Sequence, residues 1–362
     1  MRAVKVLTGL AASAAILLSA VAASAEVNFA GKKITMIVPF KEGGGTDAYV
    51  RLFAPFLAEN LPGKPTVVVL NKPGGASVRA ANEFQKTKPD GLTVMGCSTS
   101  TLTNFVLGGD KIRYDVLSWV PIVLNARGTA IYAIPDQTGV AGKDIAKDIA
   151  ALRKAKTIFG AKNKTSAELR ALLAFDMLGF FPKTVFGLST GKQRKAVLRG
   201  ELNLNYDNSA KYVRSVAKWE KEGKIKLFMT LGLLKPDGSV VRDPVLPDTP
   251  TIVEAYEAVY GKKPTGQQYE IMKNFIAMGV SASKSLVLPP GTSQEIRDVY
   301  IKAAAKAFKD EKFMKTMNKK MGKYPPNFGD DAKAVLKSAT AMKPENKKWM
   351  MNWIEKKFGK SS

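Results

Sequence analysis

Short blocks of unbroken apolar residues alternate along this chain with stretches in which apolar positions recur every three or four residues. These are the marks of buried strands and of amphipathic helices. The first block, Ile34-Thr-Met-Ile-Val-Pro-Phe40, runs into Lys41-Glu-Gly-Gly-Gly-Thr-Asp47 and predicts a strand, a glycine loop and a helix start. That helix, from about Thr46, carries Tyr49, Val50, Phe53 and Leu57 on one face, and Pro55 is expected to bend or shorten it. Thr66-Val-Val-Val-Leu70 predicts a second, buried strand, followed by Asn71-Lys-Pro-Gly-Gly-Ala76 and a helix through Phe84. Pro89-Asp90-Gly91 then turns the chain into a third strand, Leu92-Thr-Val-Met-Gly-Cys97. Such a β-α-β-α-β run argues for a parallel sheet covered on both faces.

The alternation resumes after Pro135, with strands expected at 157–160, 183–188 and 201–206 and helices at 165–178 and 191–199. Further strands are expected at 225–232, 274–280 and 285–288. The tail reads as helical. Thr292 and Glu295 have capping-box spacing ahead of Ile296, Val299, Tyr300, Ala303, Ala304, Ala307 and Phe308, and a last helix after Pro344 holds Trp349, Met350, Trp353 and Ile354. The fold class expected is α/β, in two lobes joined by extended crossings near residues 125 and 230. Each lobe is a mainly parallel sheet flanked by helices, with a ligand cleft between the lobes at the carboxyl ends of the strands. One lobe is assigned 26–125 with 230–292, the other 126–229, and 293–362 form C-terminal helices packed on both.

Composition narrows the function. Arg2, Lys5, the apolar run from Val6 to Val21 and Ala23-Ser-Ala25 have the form of an export leader, residues 1–25, cleaved after Ala25 to leave a protein expected outside the cytoplasm. Cys97, the one cysteine, permits no intramolecular disulfide and reads as a small buried hydrophobe at a strand end. The chain has no histidine, which removes Ser/His/Asp and Cys/His catalysis and histidine-based zinc sites. Its glycine loop fits neither a P-loop nor G-x-G-x-x-G, which leaves a lysine Schiff base or a paired-carboxylate mechanism, and no spacing argues for either, so no enzyme, cofactor or metal is expected. A net charge of +25 without compact Lys/Arg clusters and interleaved aromatics argues for a solvated cationic surface rather than nucleic-acid binding. The competing class is a cationic envelope protein whose lysine-rich C-terminal helices hold an anionic surface, an attraction that salt would weaken.

The glycine loop carries the chemistry. Glycines between a strand and a helix leave backbone N–H groups bare at a helix N-terminus, where the dipole favours an anion. Asp47 reads as a first-turn acid that stabilises the dipole, as a group that touches a hydroxyl or N–H of the ligand, or as one that orients the loop from behind. Gly74 and Gly75 read as a tight turn, and Asp207 and Asn208 as either a cap or a ligand contact.

Five segments together resemble one family. Val38-Pro-Phe40 with Gly43, Gly44, Asp47 and Arg51 is similar to the opening signature of the solute receptors of tripartite tricarboxylate transporters, the Bug receptors. Asn71-Lys-Pro-Gly-Gly75, Pro89-Asp-Gly-Leu-Thr93, Leu246-Pro-Asp-Thr-Pro-Thr251 and Leu288-Pro-Pro-Gly-Thr292 resemble further family segments in order. The resemblance implies a monomeric two-lobed protein of the periplasmic-binding-protein type. It would close like a flytrap on a small organic carboxylate and pass it to a two-subunit membrane permease, or report its presence to a sensor. It places Phe40, Gly43, Gly44, Gly45, Thr46, Asp47, Ser98, Thr99 and Ser100 on one side of the ligand. Lys162, Asn163, Thr165, Ser166, Ser189, Thr190, Asp207 and Asn208 would close from the other. Lys162-Asn163-Lys164 replaces a small Ser-Gly run and Glu42 replaces a proline; from their place before a helix N-terminus, Lys162 or Lys164 is expected to pair with a distal carboxylate.

Overall fold

The structure, a computed structural model, describes residues 27–235 and 237–359; the leader and its cleavage point lie outside them. Six strands form the first sheet: β1 (Lys33–Val38), β2 (Thr66–Asn71), β3 (Thr93–Ser98), β4 (Val120–Asn125), β12 (Lys284–Leu288) and β13 (Pro326–Phe328), in the order β13-β4-β12-β3-β1-β2. The second sheet holds β5 (Thr129–Ala133), β6 (Ile158–Gly160), β7 (Lys183–Val185), β8 (Leu204–Asn208) and β9 (Lys226–Met229), in the order β7-β6-β8-β5-β9. A small hairpin of β10 (Leu233–Leu234) and β11 (Val240–Val241) follows.

Both sheets are mixed rather than mainly parallel. β1 pairs parallel with β2 and β3, and β6 with β7 and β8, where a helix returns the chain to the same end. Strands that enter from the other lobe or from the tail run the opposite way: β12 against β3 and β4, β13 against β4, and β5 against β8 and β9. The run 66–70 is not a buried strand. It is the outer strand β2, paired only with β1, and Val68 and Leu70 stand 37% and 45% exposed. Pro55 does not shorten its helix, which runs Gly45–Asn60 and packs Tyr49, Val50, Phe53 and Leu57 into the first core with Ile34, Met36, Val38, Tyr300 and Phe313. Each such side chain contributes about 1.5–3 kcal/mol of burial.

Residues 274–280 are helical rather than a strand. They end the helix Gly266–Ile276 and form the wide turn Ala277–Ser281. The crossing at 125 runs directly from β4 into β5 through Ala126–Gly128. The return is later than 230. After β9 the chain forms the helix Ile252–Tyr260 against Ile145–Lys154, and Gly266–Ile276 against Leu169–Met177, both on the second lobe, before β12 re-enters the first sheet at Lys284. The tail helix Gln294–Ala307 is capped by Ser293, whose Oγ accepts from Ile296 N–H at 3.4 Å, and not by Thr292, whose hydroxyl donates to the Pro289 carbonyl at 2.8 Å. The helix Glu311–Met321 lies on Gly45–Asn60, and Pro344–Phe358 buries Met350, Trp353 and Ile354.

Candidate functional site

A cavity of about 350 Å³ lies between the two sheets, lined by the loop after β1, the end of β3, the Ala126–Gly128 crossing, the end of β8 and the start of β12. Three helices start at its wall: Gly45–Asn60, capped by Gly44; Thr99–Leu107, capped by Ser98; and Thr190–Leu198, capped by Ser189. Gly44 and Ser189 give no side-chain cap bond, so the first-turn N–H groups of those two helices have no capping side chain. Gly43 needs glycine, because its φ of +75° is a conformation that side chains disfavour.

Most of the expected ligand residues meet here. Phe40, Gly43, Gly44, Gly45, Thr46, Ser98, Thr99 and Ser100 line the cavity from the first lobe, and Lys162, Ser189, Thr190, Asp207 and Asn208 from the second. Asp47 does not line it. Its carboxylate lies behind the loop, accepting from Gly43 N–H at 3.0 Å, Arg51 Nε at 2.9 Å and Asn71 Nδ2 at 3.0 Å, while Asn71 also donates to the Phe40 carbonyl at 3.0 Å. It therefore orients the loop from behind, with Arg51 and Asn71 as its partners.

Asn163, Thr165 and Ser166 also lie off the cavity, because they join the rims. Thr165 Oγ1 donates to Asn104 Oδ1 at 2.7 Å and Asn163 Nδ2 to the Gly75 carbonyl at 3.4 Å, both reaching the first lobe. Ala167 N–H donates to Ser100 Oγ at 3.2 Å on the same seam. Ser166 Oγ instead donates to Glu168 Oε2 at 2.5 Å. Of the two candidate lysines, Lys164 reaches away and donates to the Gly359 carbonyl at 2.9 Å. Lys162 lines the cavity but is paired with the fully buried Glu168. Burial pulls the Lys162 ammonium down and Glu168 more than offsets it, so its pKa ends above the usual value; the Glu168 carboxyl, raised by burial, ends below its own. Asn208 caps the turn Ser209–Lys211 and also lines the cavity. Asp207, 1% exposed, accepts from Arg194 Nη1 at 2.7 Å and Tyr132 OH at 3.0 Å, and burial raises its carboxyl despite Arg194.

Parts of the chain match curated sequences. One is 35% identical over 128 residues to a UPF0065 protein of Bordetella pertussis, a match that covers 34% of this chain and 38% of that relative. Across the curated relatives it matches, the chain spans 22% to 64% of their length. No protein-family model matches. Solved structures align over nearly the whole chain and show the fold. The periplasmic binding protein BugD aligns with a TM-score of 0.65 at 20% identity, covering 90% of this chain and 97% of that one. MatC from Rhodopseudomonas palustris with bound malate aligns with a TM-score of 0.64 at 20% identity, covering 89% and 99%. Over part of its length the chain is similar to UPF0065 and Bug proteins.

The cavity has a cationic wall that sequence reasoning missed. Arg127, Arg170 and Lys284 are 5%, 5% and 7% exposed, line the cavity, and among the described residues have no carboxylate at ion-pair distance. Arg127 Nε and Arg170 Nε and Nη1 have no hydrogen-bond partner, while Lys284 Nζ reaches only the Ser283 carbonyl at 2.9 Å. Burial draws Arg127 down to about 10 and Lys284 well below the usual lysine value, the latter aided by the charges of Arg127 and Arg170. Lys211 and Arg214 line the cavity beside Arg194, and burial and the Arg194 charge lower both. One signal could have found the deep three: each is a lone cation inside or beside an apolar run, as in Leu169-Arg-Ala-Leu-Leu-Ala-Phe175.

Proposed function

We propose that the protein is a periplasmic solute receptor, not an enzyme, which captures a small organic carboxylate by cleft closure and hands it to a two-subunit membrane permease. The observation that carries this reading is the pair of lobes facing across a cavity walled by bare helix N-termini and buried unpaired cations. Such a wall is costly unless an anion occupies it. Among the described residues no helix is long and apolar enough to cross a membrane, which suits a partner that supplies the membrane part. MatC, aligned over its whole length, is a protein with bound malate, which makes a small carboxylate the first class to try. Export would follow from residues 1–25, and a monomer suffices because both walls come from one chain.

Thermal unfolding of the refolded, ligand-stripped protein against mono-, di- and tricarboxylates, aromatic acids and amino acids tests this. A ligand at about a hundred times its dissociation constant adds about 2.7 kcal/mol of stability, which is a shift of several degrees. A selective shift that survives high salt is expected. Shifts that disappear with salt would instead mark attraction to a charged surface.

A further inference from the structure

From Ile301 to Lys323 nine residues are exposed, and all nine are charged: seven lysines, the first Lys302 and the last Lys323, and the carboxylates Asp310 and Glu311. The lysines recur every three or four positions, so each of the two helices turns one face of them to solvent. The opposite faces are buried, with Tyr300 and Ala303 on the helix Gln294–Ala307 and Phe313, Met317 and Met321 on the helix Glu311–Met321. Phe308 and Phe313 pack on each other and on Phe53, which fixes both helices to the first lobe. Among the described residues none of the seven lysines has a carboxylate at ion-pair distance. Asp310 is spent as a helix cap, accepting from Phe313 N–H at 2.6 Å. Just upstream the signs mix again, since Arg297 pairs with Asp298 and Asp330.

Such a face differs from a protein-binding one. It exposes no tyrosine, tryptophan or arginine to fill a pocket, and lysine is depleted in protein interfaces. Lysines are point charges on flexible stems, which suits a layer of mobile phosphate headgroups better than a fixed, bidentate partner. We propose that this lysine face docks the protein on an anionic phospholipid surface. The helix Glu311–Met321 ends at the cleft, where Lys320 and Met321 line the cavity and the Lys319 carbonyl accepts from Arg214 of the second lobe. Docking therefore sets the mouth of the cleft beside the membrane. On the receptor reading above, that is where a permease would take the solute.

Cosedimentation tests this with vesicles of phosphatidylcholine alone and of an equimolar mixture of phosphatidylcholine and phosphatidylglycerol. It uses the chain from Glu26 onward, which keeps every described residue and removes the apolar leader. Binding is expected to the mixed vesicles only, and to fall steeply as salt rises. Each lysine near such a surface is worth about fivefold in affinity, so Lys309→Gln, Lys312→Gln and Lys315→Gln combined should weaken binding by at least about tenfold. Lys143→Gln, Lys154→Gln and Lys156→Gln combined remove equal charge from exposed positions of the second lobe and should have a much smaller effect. Equal losses in the two triple variants would reduce the attraction to net charge and overturn the assignment to this face. Binding to neither vesicle, or to both alike, overturns the lipid surface as the occupant and leaves an acidic protein in its place. Thermal shifts with carboxylates, read on the same variants, depend on the cleft alone. Loss of vesicle binding with those shifts intact therefore leaves the receptor reading standing.

Discussion

Lys284 shows how a single residue ties ligand capture to stability. It occupies the first position of β12, opposite Ser98 on β3 and Asn125 on β4, and its ammonium faces Arg127, Arg170, Lys162 and the Cys97 thiol, itself raised by burial to about 11. Its pKa is depressed in the folded chain, so between that depressed value and the ordinary 10.5 the unfolded state holds more protons than the folded one. Stability therefore rises with pH across that window and is lowest below it. A bound anion has the opposite preference, because it favours the charged ammonium, so affinity should fall as pH rises through the same range. The expected outcome is a melting temperature of ligand-free protein that climbs from neutral pH towards about 9, below the range near 10 in which tyrosines ionise. Lys284→Met should raise stability at neutral pH and flatten the climb. An unchanged slope in that variant would show that Lys284 is not the group responsible. Cys97, 2% exposed, keeps the purely structural role that its apolar surroundings suggested.

At the scale of elements, the glycine loop and its helix form one device. Asp47, Arg51 and Asn71 tie the loop to β2, so the first-turn N–H groups are fixed before a ligand arrives. Gly45 is helical, so alanine there suits the backbone and gains up to about 1 kcal/mol of helix propensity. Its new methyl group, however, would displace the Arg127 guanidinium. Gly45→Ala should thus leave the melting temperature of ligand-free protein unchanged or higher while weakening anion binding by about tenfold or more. Equal affinity in calorimetry would mean that Arg127 does not touch the ligand. This loop was readable in the sequence because strand, glycines and helix start are contiguous there, and the same holds for Ser98 to Ser100 at the end of β3. The cationic wall was not, because Arg127, Arg170, Arg214 and Lys284 are spread over the chain and only the pairing of β12 with β3 and β4 and the packing of helices bring them together. Two strand errors have local causes. Residues 66–70 look buried because valine serves an outer strand as well as an inner one, and Phe-Ile-Ala-Met-Gly-Val280 is an apolar run too short to separate helix from strand by period. Antiparallel pairing was invisible because it depends on which end of a sheet a returning chain enters.

For the whole molecule, the question is what holds the lobes together. Around the Ala126–Gly128 crossing, Tyr324 OH donates to Asp243 Oδ1 at 2.6 Å, accepts from Gly128 N–H at 3.1 Å and lies 3.0 Å from Ser209 Oγ, joining tail, crossing and second lobe in one buried knot. On the receptor reading, that knot ties the crossing down and leaves closure to the contacts at the rims. On one rim Thr165 meets Asn104 and Ala167 meets Ser100; on another Arg214 Nη1 donates to the Lys319 carbonyl at 3.1 Å. Cations on facing walls repel when no anion lies between them, and the rim bonds oppose that repulsion. Asn104 is buried and does not line the cavity; its amide donates to the Ala76 carbonyl at 3.0 Å while its oxygen takes the Thr165 hydroxyl. Asn104→Ala therefore removes closure energy without touching the ligand. Losing one such bond, worth about 0.5–1.5 kcal/mol, lowers the closed fraction, and apparent affinity falls in proportion, by about two- to tenfold. X-ray scattering of the ligand-free variant should show a larger radius of gyration than the parent, and saturating ligand should bring both to the same value. If affinity fell while the two ligand-free radii stayed equal, Asn104 would be shaping the cavity rather than closing it.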